Sequence, residues 1–355
     1  MVSGGFPAIS SSDQLARAIA DQQARDANPV VERAILGTAD PAAIAAQVAS
    51  LCRTQLGTAI ALLRFYWVSV GCVLGLDLED GRSIVVKVQH GARDGRYLAA
   101  CLDVRRELAA AGFPCPRPMV GPIRLGAAWA TVEELDDRGT QADAHDPAVR
   151  RELARVLAQL VDLAKPFASS PAFGGAWFTS LPNTQIFPRT HSPLFDFSAT
   201  AAGAEWIEDL AARARSRRNH AKGEKVLGHF DWRIEHVRFD DGRIVTSYDW
   251  DSLHVEYEPV MVGAAAHAFT TDWQRENIAR VPSIEEMRAF VADYEAARGR
   301  AFDRGERATL SASLVYSIAY TARCAHAGNP REEGSNGDFR PLLRKHGPEL
   351  LERGL

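Results

Sequence analysis

The pattern of apolar and polar positions changes character part-way along the chain. Residues 11–56 have helical periodicity, and Asp40 and Pro41 suit the N-cap and first turn of the clearest helix. From 60 to 135, β-branched and aromatic residues dominate, and the order strand, strand, strand, helix, strand is predicted. The single helix of this region should end at Gly112, because glycine readily takes the left-handed conformation that closes a helix.

The second half of the chain is mainly helical in pattern. Residues 136–146 form a polar connector that we interpret as a linker, and Asp146 with Pro147 opens the helix that follows. Its apolar stripe comprises Val149, Leu153, Val156, Leu157, Leu160 and Val161. After residue 256 four more helices are predicted, at 258–270, 283–298, 304–326 and 338–353.

This pattern predicts an α+β protein with two lobes. The N-terminal lobe is small and β-rich and takes in residues 1–135, with a helical extension at 1–58 and a sheet at 59–135. The larger C-terminal lobe, residues 136–355, is mainly helical.

Candidate chemistry is concentrated in the stretch "GHFDWRIEHVRFDDGRIVTSYDWDSL". Two alternating segments flank "DDG" and predict a tight antiparallel hairpin with strands ~4.8 Å apart. The hairpin returns Asp249 to the segment that carries Asp231, so the two carboxylates can converge. Asp240 and Asp241 fall at the tip, where they favour the turn and are solvated.

Two carboxylates at one end of a hairpin repel each other unless a positive charge lies between them. A divalent cation with a phosphate meets this need, and Mg²⁺ favours one or two carboxylates together with phosphate oxygens. Asp249 would then hold the metal. Asp231 would accept the proton of an attacking hydroxyl and orient it for in-line transfer.

The order of these parts resembles the aminoglycoside phosphotransferase family, within the protein-kinase-like superfold. The matching motifs are His229-Phe230-Asp231, the hairpin, and Tyr248-Asp249-Trp250, preceded by "SIVVKV", "AAAGFPCPRP" and "ATVEEL". The similarity covers roughly residues 60–270. It implies a two-lobed kinase that uses ATP or GTP with Mg²⁺.

The resemblance also implies a nucleotide site. Lys87, in "SIVVKV", would contact the phosphates, and Gly71 would lie in the loop that covers them. "ATVEEL" occupies the place of the hinge, so backbone groups of Glu133, Glu134 and Leu135 would face the adenine. The helix acid that pairs with the lysine in such kinases would here be Asp103 or Glu107.

One metal position departs from the family pattern. His236 stands where the family has an asparagine, five residues after Asp231. Neutral imidazole suits a hard cation less well than an amide oxygen does. Three readings stay open: His236 binds a phosphate, Asp251 or Glu235 serves as the second metal ligand, or the site is weakened.

Composition narrows the class of protein. The net charge of −4 shows none of the positive excess of a nucleic-acid-binding protein. The five cysteines form no CxxC pair, which favours reduced, buried thiols and a cytoplasmic location. The most apolar run, residues 65–76, is too short to cross a bilayer, so no membrane partner is expected.

The sequence thus predicts a kinase that transfers the γ-phosphoryl of ATP or GTP to a hydroxyl of a small molecule. Acceptors of this class include aminoglycosides, other antibiotics, sugars and amino alcohols, and a shared fold does not choose among them. Two alternatives have other chemistry. One is a kinase-like protein that binds a nucleotide or a partner with little or no catalysis, and the other is a metal-dependent phosphohydrolase. The oligomeric state is left open.

Overall fold

The protein consists of two compact units, which are described separately. The computed structural model describes residues 12–25, 29–192 and 195–355. The first unit contains the described residues up to Ala109 together with Pro116–Asp137, and the second contains Ala110–Cys115 with Arg138–Leu355.

The first unit is built on a five-stranded antiparallel sheet with the order β1-β2-β3-β5-β4. Its elements are α1 (Ser12–Arg25), α2 (Pro29–Leu36), α3 (Pro41–Leu51, continued by a π-helical turn at Cys52–Leu56), β1 (Ile60–Val68), β2 (Cys72–Leu78), β3 (Ser83–Gln89), α4 (Gly95–Ala110), β4 (Pro118–Leu125) and β5 (Ala128–Glu134). As predicted, the Asp40 carboxylate caps α3 by accepting the Ala43 amide at 3.0 Å.

Helices cover both faces of this sheet. Strand residues alternate between the two faces. One set, which includes Ile84, Val86 and Val132, packs with the buried side chains of α1–α3 in a single core. Helix α4 lies on the other face, where its Arg105 reaches Glu133. This second face therefore holds charged side chains over a buried sheet.

Strand β4 corrects the predicted strand count of this region. Its sequence contains Pro118, Gly121 and Pro122, and such residues read as loop. Within the described part of the chain, β4 is an edge strand with β5 as its one partner, and its register is broken at two points. An edge strand tolerates proline, because one side of it needs no amide donors.

The second unit is mainly helical, with two small antiparallel strand pairs, β6-β9 and β7-β8. Its elements are α5 (Pro147–Leu163), α6 (Trp177–Ser180), α7 (Glu205–Ser216), β6 (Lys225–His229), β7 (Val237–Asp240), β8 (Arg243–Ser247), β9 (Leu253–Tyr257), α8 (Glu258–Ala268), α9 (Ile284–Arg298), α10 (Arg304–Gly328) and α11 (Arg340–Arg353). The predicted helices after residue 256 are confirmed. The pairing of β6 with β9 was not predicted.

Two interactions involve α5, the helix to which the segment after β6 is attached. Asp146 caps α5 by accepting the Ala148 amide at 2.7 Å. Farther along α5, the Leu153 carbonyl accepts the indole N–H of the buried Trp232 at 3.1 Å. The segment that follows β6 is thereby anchored to a long helix.

The predicted hairpin forms between β7 and β8. Asp240 pairs with Arg243 across a two-residue loop, Asp241-Gly242. Both loop residues have positive φ, 45° and 72°. Such a loop matches the right-handed twist of the strands and accounts for the "DDG" sequence.

All five cysteines are buried, and none is in a disulfide. Among residues 12–25, 29–192 and 195–355, no single helix is both long and apolar enough to span a bilayer. One helix pair, Pro29–Leu36 with Pro41–Leu56, bent by 42°, passes on length and composition alone.

Candidate active site

The segment between β6 and β7 carries Asp231, and backbone hydrogen bonds hold it at both ends. At its start, the Phe230 amide donates to the Ser252 carbonyl at 2.9 Å. At its end, the His236 carbonyl accepts the Tyr248 amide at 2.7 Å. The β7–β8 hairpin therefore brings the residues on either side of Asp249 against this segment, as the sequence predicts.

His229 hydrogen-bonds to both the segment that carries Asp231 and the residue before Asp249. Its ring is fully buried, accepts the Asp231 amide at Nδ1 at 3.2 Å, and donates from Nε2 to the Tyr248 carbonyl at 3.3 Å. Burial, aided by nearby His236, lowers the pKa of His229 to about 4. The imidazole is therefore neutral at ordinary pH, and its two hydrogen bonds give it a structural role.

Three predicted site residues come together: Asp231, His236 and Asp249. One ligand atom from each lies within 4.8 Å of the other two. The imidazole stands between the acids, 3.8 Å from a carboxylate oxygen of Asp231 and 3.8 Å from one of Asp249. Asp249 has φ 61°, a left-handed conformation that is unusual outside glycine and that clusters at functional sites.

Arg233 supplies a positive charge that the sequence analysis did not identify. Its guanidinium Nη1 lies 3.3 Å from the Asp231 carboxylate, its Nε lies 3.2 Å from that of Glu235, and its Nη2 lies 3.1 Å from His236 Nε2. Burial would lower the pKa of Arg233, but Asp231, Glu235 and Asp249 raise it above its usual value. A basic residue two positions after Asp231 was the available signal.

The donor set fits a hard cation through oxygen rather than nitrogen. Asp231 and Asp249 offer carboxylate oxygens, the ligands that Mg²⁺ prefers. Both nitrogens of His236 are engaged, since Nδ1 donates to the Asp231 carbonyl at 3.0 Å and Nε2 accepts from Arg233. Asp251 is partly buried and lies outside the three-residue group. The metal-ligand roles of His236 and Asp251 stay predictions.

In the first unit, Lys87 has an acidic partner, but not the expected one. Its ammonium lies 3.6 Å from a carboxylate oxygen of Glu133, on β5. Asp103 is exposed and pairs with Arg106 at 2.6 Å instead. Glu107 is also exposed. The expectation of a helix acid is therefore wrong, because the α4 acids project to solvent.

The other predicted nucleotide contacts lie in β-structure. Gly71 ends the short β1–β2 loop, and a Cβ there would come within 2.8 Å of the Val88 carbonyl, so glycine allows a close approach to β3. The Glu134 amide donates to the Arg117 carbonyl and the Leu135 amide to the Ser83 carbonyl, each at 2.9 Å. These two backbone amides are therefore used in hydrogen bonds within the first unit. The adenine contact stays a prediction.

Comparison with known proteins identifies the family. A model described as "Phosphotransferase enzyme family" (APH) matches residues 76–308, more than half of the chain. No curated protein matches the chain by sequence.

Solved structures share the fold at low identity. An amicoumacin kinase in complex with AMP-PNP, Ca²⁺ and Ami is 13% identical, with a TM-score of 0.59 over 82% of this chain and 88% of that chain. An aminoglycoside phosphotransferase is 16% identical, with a TM-score of 0.56 over 88% and 99%. A spectinomycin phosphotransferase with ADP and spectinomycin is 14% identical, with a TM-score of 0.52 over 87% and 95%.

The predicted resemblance and the predicted kinase-like α+β fold are thus confirmed, and the chain belongs to the phosphotransferase enzyme family.

Proposed function

We propose that the protein transfers the γ-phosphoryl group of ATP or GTP to a hydroxyl of a small molecule. The observation that carries this proposal is the convergence of Asp231, His236 and Asp249 within 4.8 Å, with Arg233 against the Asp231 carboxylate. Membership of the phosphotransferase family supports the reaction class.

In this proposal Asp231 orients the acceptor hydroxyl and takes its proton. Its side chain is 31% exposed, so a hydroxyl can reach it from solvent. The backbone amide of Asp231 is fixed by its hydrogen bond to His229, and the carboxylate lies against the Arg233 guanidinium. A fixed base of this kind contributes roughly 10²–10⁴-fold to such a reaction.

Cations of the chain would stabilise the transferring group. Arg233 stands beside the proposed base, and Lys87 would contact the nucleotide phosphates. Mg²⁺, held by Asp249, would neutralise charge on the phosphates. Fixed charges of this type supply much of the rate gain in phosphoryl transfer, because they need no reorganisation during the reaction.

The acceptor belongs to the hydroxyl-bearing small molecules, as for the spectinomycin and aminoglycoside phosphotransferases of the same fold. A suitable panel therefore holds aminoglycosides, other antibiotics, sugars and amino alcohols. ATP and GTP are compared as donors, each with Mg²⁺ and with a chelator. Products are separated by mass spectrometry, so that transfer to the acceptor is distinguished from hydrolysis.

We expect a phosphorylated acceptor from at least one compound, formed only when the divalent cation is present. Inorganic phosphate as the sole product, whatever the acceptor, would instead indicate a phosphohydrolase.

A binding protein with weak catalysis is the second candidate, and the engagement of both His236 nitrogens favours it. It predicts that Mg²⁺-nucleotide raises the melting temperature while no panel compound is phosphorylated. The two readings therefore separate on product formation alone.

A further inference from the structure

We propose that Glu133, a buried carboxylate on β5, is the positioning residue for Lys87, and that Arg105 of α4 anchors this carboxylate from the helix side. The proposal rests on the proposed function for the role of Lys87 toward nucleotide phosphates. The family resemblance implies that the acidic partner of Lys87 lies on the helix, whereas this proposal places it on strand β5 of the sheet.

The sheet register brings the two side chains together. Lys87 on β3 is paired with Thr131 on β5, and Val85 is paired with Glu133. Residues two apart on a strand point to the same face. Glu133 is thus the diagonal neighbour of Lys87, at ~7–8 Å between backbones, a spacing that long side chains can bridge.

The two carboxylate oxygens are divided between two cations. Oε2 accepts from the Arg105 guanidinium at 2.7 Å, while Oε1 faces the Lys87 ammonium at 3.6 Å. Arg105 also donates to the Pro116 carbonyl at 2.9 Å, which fixes the guanidinium. Glu133 and Arg105 have side chains only 4% and 3% exposed, whereas that of Lys87 is 16% exposed. Lysine is therefore the member of the triad that solvent reaches.

The charges of this triad favour an anionic ligand. Burial would raise the pKa of Glu133, but Arg105 and Lys87 outweigh burial and hold it below the usual range. The carboxylate is therefore ionised. Two cations share one carboxylate, which leaves one positive charge in excess, and the partly exposed Lys87 can offer it to a phosphate.

Helix α4 contributes a cation to this triad, whereas a carboxylate was expected from it. Arg105 points toward the sheet, while Asp103 and Glu107 are exposed. Lysine and acid consequently sit on adjacent hydrogen-bonded strands, and the lysine is oriented within the sheet itself.

The test measures nucleotide KM, kcat and urea unfolding for Lys87→Met, Glu133→Gln and the double variant. We expect Glu133→Gln to raise the Mg²⁺-nucleotide KM about tenfold, with a smaller change in kcat, since it removes a charged partner. The double variant should be no worse than Lys87→Met alone, and the shifts in urea midpoint should be non-additive. Glu133→Asp should restore part of the affinity, because it keeps the charge.

Asp103→Asn and Glu107→Gln are matched controls on α4 and should leave KM unchanged. If Glu133→Gln is poorly folded, Arg105→Met is added to remove the unpaired buried guanidinium. Lys87→Met should then have little further effect on nucleotide affinity in that background.

A folded Glu133→Gln variant with the wild-type KM, or strictly additive urea midpoints, would overturn the positioning role. If the wild-type protein itself binds no Mg²⁺-nucleotide, the proposed function fails, and the urea cycle alone still decides whether Glu133 holds Lys87.

Discussion

At the scale of single residues, some of the site was predictable from the sequence and some was not. Asp231 and Asp249 were predictable because a two-residue turn forces the chain after β8 back along the segment it left. Arg233 was missed, because its place two residues after Asp231 is a signal that does not by itself show the guanidinium turning toward the Asp231 carboxylate. Glu133 was predicted for its backbone, whereas the structure gives its side chain a partner in Lys87.

Asp249→Asn tests the metal position. The amide keeps the shape of the side chain but removes the charge that favours a divalent cation. We expect the Kd for Mg²⁺-nucleotide, measured by calorimetry, to rise about tenfold or more, and metal-free binding to change little.

Asp251→Asn is the comparison for Asp249→Asn, because Asp251 lies outside the three-residue group. We expect the smaller effect from it. A loss in Asp251→Asn equal to that in Asp249→Asn would make Asp251 a metal ligand as well.

His267 makes stability depend on pH. Burial lowers the pKa of His267 to about 4, against the raising effects of its hydrogen bond with the Ala264 carbonyl and of Asp231, while Arg233 adds to the lowering. The unfolded chain, with a histidine pKa near ~6.5, binds the proton first as pH falls, so stability is full above about 6.5 and declines toward about 4. Between pH 7.5 and 5.0 this histidine should account for a loss of about 2 kcal/mol.

Urea unfolding at both pH values measures this loss. His267→Gln should lose about 2 kcal/mol less than the wild-type protein over that interval. His220→Gln, at an exposed position, is the control and should keep the wild-type dependence. Equal losses in all three proteins would refute the assignment to His267.

At the scale of elements, sequence pattern succeeded where one local rule dominates. Helices with a capping acid and a proline in the first turn, such as α3 and α5, begin where predicted. Strand β4 was missed because its prolines are compatible only with an edge, and which strand lies at an edge is a property of the whole sheet. The pairing of β6 with β9 was also missed, because these two strands are far apart in sequence.

The α5 cap offers a test at this scale. Asp146→Ala removes the acceptor of the Ala148 amide and should lower the free energy of unfolding by ~1 kcal/mol. Asp146→Asn retains a capping oxygen and should remain close to the wild-type value. Urea unfolding of both variants separates capping from charge, and equal destabilisation of the two would contradict the cap.

At the scale of the whole molecule, fold and family were predictable although identity to solved relatives is only 13–16%. The order of a few motifs was enough to indicate the family at this low identity. The acceptor was not predictable, since its binding residues are free to vary on a shared fold.

Ligand binding should change the stability of the whole folded protein. Saturating Mg²⁺-nucleotide at about 100 times its Kd should add about 2.7 kcal/mol to the stability of the folded protein and raise its melting temperature. Lys87→Met should reduce this shift if the lysine contacts the phosphates. An undiminished shift in Lys87→Met would remove the lysine from the nucleotide site.

The most direct test of the central claim is transfer of a labelled γ-phosphoryl group to an acceptor from the panel, measured for wild-type protein, Asp231→Asn and Asp240→Asn. Asp240 is exposed at the hairpin tip and controls for loss of a nearby charge. We predict that Asp231→Asn lowers kcat by roughly 10²–10⁴-fold while nucleotide binding is kept, and that Asp240→Asn matches the wild type. Transfer by Asp231→Asn at the wild-type rate would contradict the account.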